Sequence, residues 1–478
     1  VDCFLKGAQL TQQPLPSLVQ CRVQAAMAFL RAARRGIGLA TDLYDLTVIN
    51  AVRPQMEACY GPMTESMNGL ITSATSLGAM IGMLLFGWLA DRLGRRGTFI
   101  ATALLLCFAA AGSALSFAVG GFSLYQVLFV WRFLLGIGIG GEYPLSMTVT
   151  AESAEAGESA QSMALTYMMF QVGQLLAPLV VLSCLYLRVS DELTWRLALG
   201  VGSVLALVGA VLRAGSMLES QAWIESRASA RSSTGRVFCS LSALRAIGRP
   251  LAGTMSTFFI YDVVSWGVGS YTSSIFVANT REGTMWYNLL IQLLATPGFV
   301  LTLWMGRFGR RAFQLFGFLA MALCFVLVGA TYYSAPEALL VVIFGFQKIF
   351  DSAGPGATTI IIPGEIFPTA LRATCHGASS AAGKLGAFVG MYFFPVVQSA
   401  IGYQGVLLLG GALLVVGALL TWALTPPYTE DTLRKLAAET QDDIGKTTAV
   451  LWDKEILASR GDAEACSARA RPCNVQAV

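Results

Sequence analysis

Charged side chains are scarce in this chain. Asp, Glu, Lys and Arg make up 13% of its 478 residues, against 55% hydrophobic residues. A soluble protein of this length needs more charge than that to cover its surface. Histidine is almost missing, with His376 alone, and the ten cysteines show no metal-ligand spacing. Cys107, Cys184 and Cys324 lie inside apolar runs and read as small core residues. No metal is expected, no cofactor is implied, and no nucleophile–base pair points to an enzyme. The formal net charge of +4 is too small to indicate nucleic acid as a partner. GIGIGG (Gly136–Gly141) has no Walker lysine after it and sits in an apolar stretch, so it is not a phosphate-cradling nucleotide loop.

What the chain has in plenty is apolar runs of about twenty residues, the length that crosses a bilayer as a helix. Twelve are expected, near 36–55, 67–89, 98–118, 124–150, 160–186, 195–216, 251–279, 284–305, 312–332, 338–362, 377–398 and 404–425. The expected organisation is an N-terminal arm (1–35), a six-helix bundle (36–216), a polar central loop (217–250), a second six-helix bundle (251–425) and a charged tail (426–478). Basic residues fix the orientation. Arg22, Arg31, Arg34 and Arg35 lie in the arm, Arg92, Arg95 and Arg96 in the second connection, and Arg227, Arg231 and Arg236 in the central loop. Both termini and the central loop are therefore expected in the cytoplasm. The fold class is an all-α membrane protein whose only obligate partner is a lipid bilayer.

The halves repeat. GWLADRLGRR (Gly87–Arg96) follows the second span and WMGRFGRR (Trp304–Arg311) the eighth. GIGIGGEYPLS (Gly136–Ser146) lies in the fourth span and GPGATTIIIPGE (Gly354–Glu365) in the tenth. Parallel repeats place a binding site between the halves near mid-membrane. In DRLGRR, Gly94 supplies the tight turn. Asp91 caps or pairs with a neighbouring helix end, and Arg92, Arg95 and Arg96 sit at the anionic leaflet. The loop reads as a gate latch as well as a topology anchor. Gly306 stands in the second copy where Asp91 stands in the first, so the latch is expected to be stronger in the N-terminal half.

Several ionisable groups interrupt the apolar spans: Asp42 and Asp45 in the first, Arg132 and Glu142 in the fourth, Asp262 in the seventh, Asp351 in the tenth and Lys384 in the eleventh. Each costs roughly 2.5–3.5 kcal/mol at the bilayer centre on insertion scales. So many of them imply a wet cavity between the halves, with protonation in play, rather than isolated structural ion pairs. Phe258, Asp262 and Trp266 are four apart and share one helix face. Glu142 and Tyr143 are adjacent and point about 100° apart, so one can face a proton path and the other a ligand.

The twelve spans and the DRLGRR loop resemble the major facilitator superfamily. WRFLLGIGIGGEYPLS (Trp131–Ser146), TDLYDLTVIN (Thr41–Asn50) and PGEIFPTALRATCHGASSAAGKLGA (Pro363–Ala387) are similar to its phosphate:proton symporter branch. The resemblance implies two pseudo-symmetric six-helix bundles working by alternating access, probably-free of any cofactor, with inorganic phosphate and protons as co-substrates. It gives Glu142 a part in proton transfer and Tyr143 and Gln171 a part in phosphate binding. Asp262, Lys384, Asp42, Asp45 and Arg132 match ionisable positions of that branch. Arg132 is expected to pair with Asp42 or Asp45. The chain also departs from the pattern. Phe258 and Trp266 stand for a tryptophan and a tyrosine beside the seventh-span aspartate. Gly356 stands for an asparagine that donates to the anion, Asp351 for a neutral residue, and Thr102 is nearest to a missing glutamate.

An anion beside Asp262 is compatible with a neutral carboxyl group, which a neighbouring anion and a low dielectric both favour. A carboxylic acid also donates a hydrogen bond to a phosphate oxygen. The expected activity is proton-coupled phosphate uptake by a monomer in the plasma membrane. The alternatives are a proton-coupled carrier of a sugar or an organic ion, and a nutrient sensor that does not transport.

Overall fold

The computed structural model describes residues 18–152, 159–216, 241–276, 280–304, 309–367 and 372–425. The start of the expected arm, most of the central loop, Gly306, the tail from 426 and the side chain of Asp91 lie outside the described residues. Among the described residues the chain is helical throughout, save one isolated bridge between Val119 and Phe122. The N-terminal half comprises α1 (Leu18–Tyr60), α2 (Glu65–Leu93), α3 (Arg95–Ala114), α4 (Leu124–Glu152), α5 (Ser159–Tyr167), α6 (Met169–Tyr186) and α7 (Asp191–Ser216). The C-terminal half comprises α8 (Leu241–Gly269), a single turn α9 (Thr272–Ile275), α10 (Arg281–Leu301), α11 (Arg310–Thr331), α12 (Glu337–Ala353), α13 (Pro355–Ile366) and α14 (Arg372–Leu424).

Nine described helical stretches are long and apolar enough to cross a bilayer. Two further helices, α1 and α8, are more polar because they carry Asp42, Asp45 and Asp262 in mid-span. The α14 stretch crosses twice, since Gly402 leaves helical geometry at φ 68° and turns the chain back. The fifth span is divided between α5 and α6, and the tenth between α12 and α13 at Gly354–Pro355, where proline opens the second piece. Helix α1 begins within the stretch expected as an arm, and α8 begins at Leu241, within the expected loop. Hydropathy marks where a helix lies in lipid and not where its hydrogen bonding stops. Large apolar side chains such as Leu84, Phe108, Val211, Phe316, Leu323 and Leu419 are exposed on the outer helix faces, as a lipid-facing surface requires.

The internal repeat is geometric as well as sequential. Gly94 (φ 110°) precedes α3 and Gly309 (φ 85°) precedes α11, both in the left-handed region that glycine tolerates. The arginine after each, Arg95 and Arg310, is buried. Arg310 makes a two-pronged pair with Glu365, at 3.0 and 2.9 Å, tying the start of α11 to the end of α13. Close helix crossings also recur. A side chain at Gly82 of α2 would strike the Ile137 carbonyl of α4, and one at Gly298 of α10 the Ile349 carbonyl of α12. Gly173 of α6 lies on the Ala40 carbonyl of α1, and Gly386 of α14 on the Phe259 carbonyl of α8. In lipid, where apolar burial between helices adds little, such backbone contact is the main source of packing energy.

The α2–α4 crossing gives a direct test. A Cβ at Gly136 would meet backbone atoms of Thr75 and Ala79, whereas Gly97 has open space around it. Gly136→Val is expected to destabilise by about 1–3 kcal/mol, the usual range for overpacking, and to lower the melting temperature of the purified protein. Gly97→Ala is expected to leave it unchanged or raise it. Equal shifts for the two variants would contradict the close-packing account.

Candidate functional site

The register of α8 against α14 is set by three glycines of α14. Gly383 receives the ring of Phe258, Gly386 the Phe259 carbonyl, and Gly390 the Val263 carbonyl. That register brings Lys384 to Asp262. The Lys384 ammonium donates to Asp262 Oδ2 at 3.2 Å, with side-chain exposures of 0% and 1%. It also lies 4.7 Å from the Trp266 ring and 5.2 Å from the Tyr143 ring. The cation is therefore held by one carboxylate oxygen and two aromatic faces, one from each half of the molecule. Asp262 Oδ1 has no hydrogen-bond partner among the described residues.

Asp262 lines a cavity of about 700 Å³ between the halves. Its walls include Tyr143 and Tyr167 from the N-terminal half and Trp266 from α8. The cavity extends to Thr47 and Asn50 of α1 and to Gly269, Ser270 and Thr272 at the end of α8. It thus runs toward the face opposite the one where α1 begins and α14 ends. That terminal face is closed. Gly87 and Met83 of α2 abut Ala373 and Gly377 of α14, and Met163 of α5 abuts Gly364 of α13 beside the buried His376. The opposite face is bridged by polar contacts instead. Gln171 donates to Thr296 at 3.0 Å and to the Gln292 carbonyl, and Arg53 lies 5.8 Å from the Tyr271 ring.

A second acid–base pair occupies the same cavity. Lys348 donates to Asp351 Oδ2 at 2.7 Å. Tyr261 donates to Asp351 Oδ1 at 2.5 Å, and Ser265 reaches that oxygen at 3.4 Å. The hydroxyls of Tyr167 and Tyr261 converge on Gly356, 2.6 and 2.8 Å from where a Cβ would stand. Two tyrosine hydroxyls thus occupy the place where a side chain at Gly356 would project. Sequence reasoning flagged Asp351 only as a departure and passed over Lys348, Tyr261 and Tyr167. The signal was present: a Lys–Asp pair three apart, inside an apolar span, is poised to meet on one helix face.

The remaining expected site residues fall into three places. Tyr143, Asp262 and Trp266 line the cavity, with Lys384 against them. Gln171 stands two residues before Gly173, as Lys384 stands two before Gly386, so the two occupy equivalent positions in the repeat. Gln171 is engaged across the halves rather than placed among the lining residues, whereas Gln174 is among them. Asp42, Asp45, Arg132 and Glu142 are buried within the N-terminal half, away from the cavity wall. Arg132 donates to the backbone carbonyl of Asp45, and Thr102 donates to Glu142 at 3.4 Å. In the second connection Gly94 makes the turn, Arg95 is buried, and Arg92 is exposed, lying 4.3 Å from the Trp88 ring.

A family model described as sugar (and other) transporter matches residues 37–239 and 268–439. The chain belongs to that family. Among its curated relatives, a low affinity inorganic phosphate transporter of Lotus japonicus is 30% identical over 428 residues, covering 75% of this chain and 81% of the relative. A repressible high-affinity phosphate permease of Neurospora crassa is 29% identical over 430 residues, covering 74% and 75%. Of solved structures, the proton:xylose symporter XylE of the major facilitator superfamily, bound to 6-bromo-6-deoxy-D-glucose, superposes with a TM-score of 0.73. Its identity is 20%, and 87% of this chain and 99% of that one are covered. This member of the sugar (and other) transporter family therefore has the major facilitator fold. It is an all-α membrane transporter rather than an enzyme.

In this transporter the buried Asp262–Lys384 pair is expected to be strongly coupled. Removing one member leaves an uncompensated charge, which costs about 3–5 kcal/mol in buried pairs, whereas neutralising both costs much less. Lys384→Met is expected to lower the melting temperature markedly, and Lys384→Met combined with Asp262→Asn to recover most of the loss. Additive losses in that cycle would show that the two groups do not interact.

Proposed function

We propose that this transporter carries inorganic phosphate inward together with protons, by alternating access. The observation that carries the proposal is the Asp262–Lys384 pair at the inter-half cavity, with one carboxylate oxygen unpartnered at the wall. Phosphate and a carboxylate compete for one ammonium group. When Asp262 is ionised, it holds Lys384. When Asp262 takes a proton, Lys384 is released to the anion, and the neutral acid donates a further hydrogen bond to it. Proton and anion each improve the other's binding, and by linkage the two effects are equal in size. The phosphate transport named for the relatives from Lotus japonicus and Neurospora crassa supports the same reading.

Tyr143 joins Asp262 and Trp266 in contacting the anion from the cavity wall. Glu142, Asp42, Asp45 and Arg132 serve the proton side from within the N-terminal half. Gln171 closes the cavity by tying α6 to α10, and releases that tie when the halves rock. Both termini face the cytoplasm, in keeping with the basic residues of the arm and of the DRLGRR loop. The cavity then opens to the outside, as loading for uptake requires. The carrier works as a monomer in the plasma membrane, each copy holding a complete site between its own halves.

Uptake of radiolabelled phosphate by reconstituted vesicles is expected to rise as the external medium is acidified, because the acid form of Asp262 is the loading form. Glucose is expected not to compete. Asp262→Asn mimics the protonated acid, so it is expected to keep phosphate exchange while losing accumulation driven by a proton gradient. Normal accumulation by that variant would overturn the coupling role of Asp262.

A further inference from the structure

The second pair, Lys348–Asp351, lies outside the group of residues that the phosphate reading uses. It lines the same cavity as Asp262 and is bound as tightly as a charge pair can be, at 2.7 Å. A buried ion pair of this kind is weak evidence for a stabilising role, since well-packed apolar residues commonly serve as well. Its position at the wall of a substrate cavity favours a functional one. We propose that Lys348 is a second substrate cation, held by Asp351 in the empty carrier and released to the anion when Asp351 takes a proton.

The surroundings of Asp351 fit this role. On its own helix, α12, Asp351 faces Lys348. From α8 it meets the Tyr261 hydroxyl and Ser265, with the charged Asp262 next to Tyr261 in sequence and on the same cavity wall. From α5 the Tyr167 hydroxyl approaches at Gly356 of α13, next to the Asp351 carbonyl. Helix α10 presents the uncharged Ile291 and Gln292 to the cavity. Helix α11 meets α12 behind the pair, through Phe316 and Gly317 at Phe350 and Gly354. Lys384 of α14 is already held by Asp262. Lys348 is thus the cation that faces Asp351, and protonation of Asp351 leaves the Tyr261 hydroxyl free to turn to a ligand oxygen.

Charge balance gives the arrangement a consequence. Two ammonium groups and two carboxylates sum to zero in the empty site. Each proton taken by Asp262 or Asp351 leaves one uncompensated positive charge. One proton balances monoanionic phosphate, and two balance the dianion. A carrier with both pairs active therefore binds one more proton with each phosphate than a carrier with the Asp262–Lys384 pair alone.

This inference rests on the phosphate reading, and calorimetry separates the two. Phosphate binding to the purified full-length protein is measured in buffers of different ionisation enthalpy, which counts protons taken up per phosphate. Asp351→Asn keeps Lys348 and removes the titrating group. It is expected to bind phosphate and to take up about one proton fewer than wild type, as linkage requires. Lys348→Gln combined with Asp351→Asn leaves no orphan charge, so it is expected to fold. It is expected to bind phosphate about 10- to 100-fold more weakly, the usual effect of losing a charge-assisted hydrogen bond. An unchanged proton count in Asp351→Asn, or wild-type affinity in the double variant, overturns the role of the second pair while phosphate transport stands. A lowered melting temperature with no change in proton count shows a purely structural pair and overturns it as well. Failure of the wild type to bind phosphate overturns both the phosphate reading and the inference.

Discussion

A carboxylate and an ammonium group, both sealed from water inside a membrane protein, must neutralise each other or be neutralised by something else. The Asp262–Lys384 pair has this constraint, and much of the architecture around it follows. The pair needs α8 and α14 in one register, which the glycines of α14 impose by admitting the α8 backbone. It needs a wall from the opposite half, which Tyr143 supplies. It also needs access from one face at a time, because a proton and an anion that reached it from both faces would dissipate the gradient. The closed terminal face, built from α2, α5, α13 and α14, meets that last need.

The two halves share a construction but carry different chemistry. The same glycine-on-carbonyl crossings occur in each, yet Gln171 stands in one half where Lys384 stands in the other. The N-terminal half keeps its charges, Asp42, Asp45, Arg132 and Glu142, within its own bundle. The C-terminal half turns both of its Lys–Asp pairs to the cavity or against its wall. Anion recognition is thereby concentrated on one half. The other half offers aromatic faces and hydroxyls, which can slide past a bound anion without a change of charge partner.

Much of this was legible in the sequence. The twelve spans were readable because lipid demands about twenty apolar residues per crossing, and the repeat because DRLGRR and GRFGRR impose the same glycine turn. The ends of α1 and α8 were not, since helices continue past the bilayer with no hydropathic mark. Asp262 and Lys384 were each visible as groups out of place, but their contact depends on the α8–α14 register, and 122 positions separate them in the chain. Arg132 was expected to meet a carboxylate of α1, and the structure turns it to the Asp45 carbonyl. That exchange of a charged acceptor for a backbone one depends on how far α1 and α4 are rotated. Lys348 escaped notice because Asp351, three residues on, was weighed alone. The missing donor at Gly356 was a real departure in sequence, and only the folded chain brings Tyr167 and Tyr261 into that space.

The central claim is that Asp262 gains a proton when phosphate arrives and thereby gives up Lys384. Infrared difference spectroscopy on the purified protein in lipid reads this directly, because a protonated carboxyl group has a carbonyl stretch that a carboxylate lacks. The account predicts that phosphate induces such a band in the wild type and that the Asp262 contribution to it vanishes in Asp262→Asn. A wild-type spectrum with no carboxyl band gained on phosphate addition, under conditions where binding is demonstrated, would contradict it.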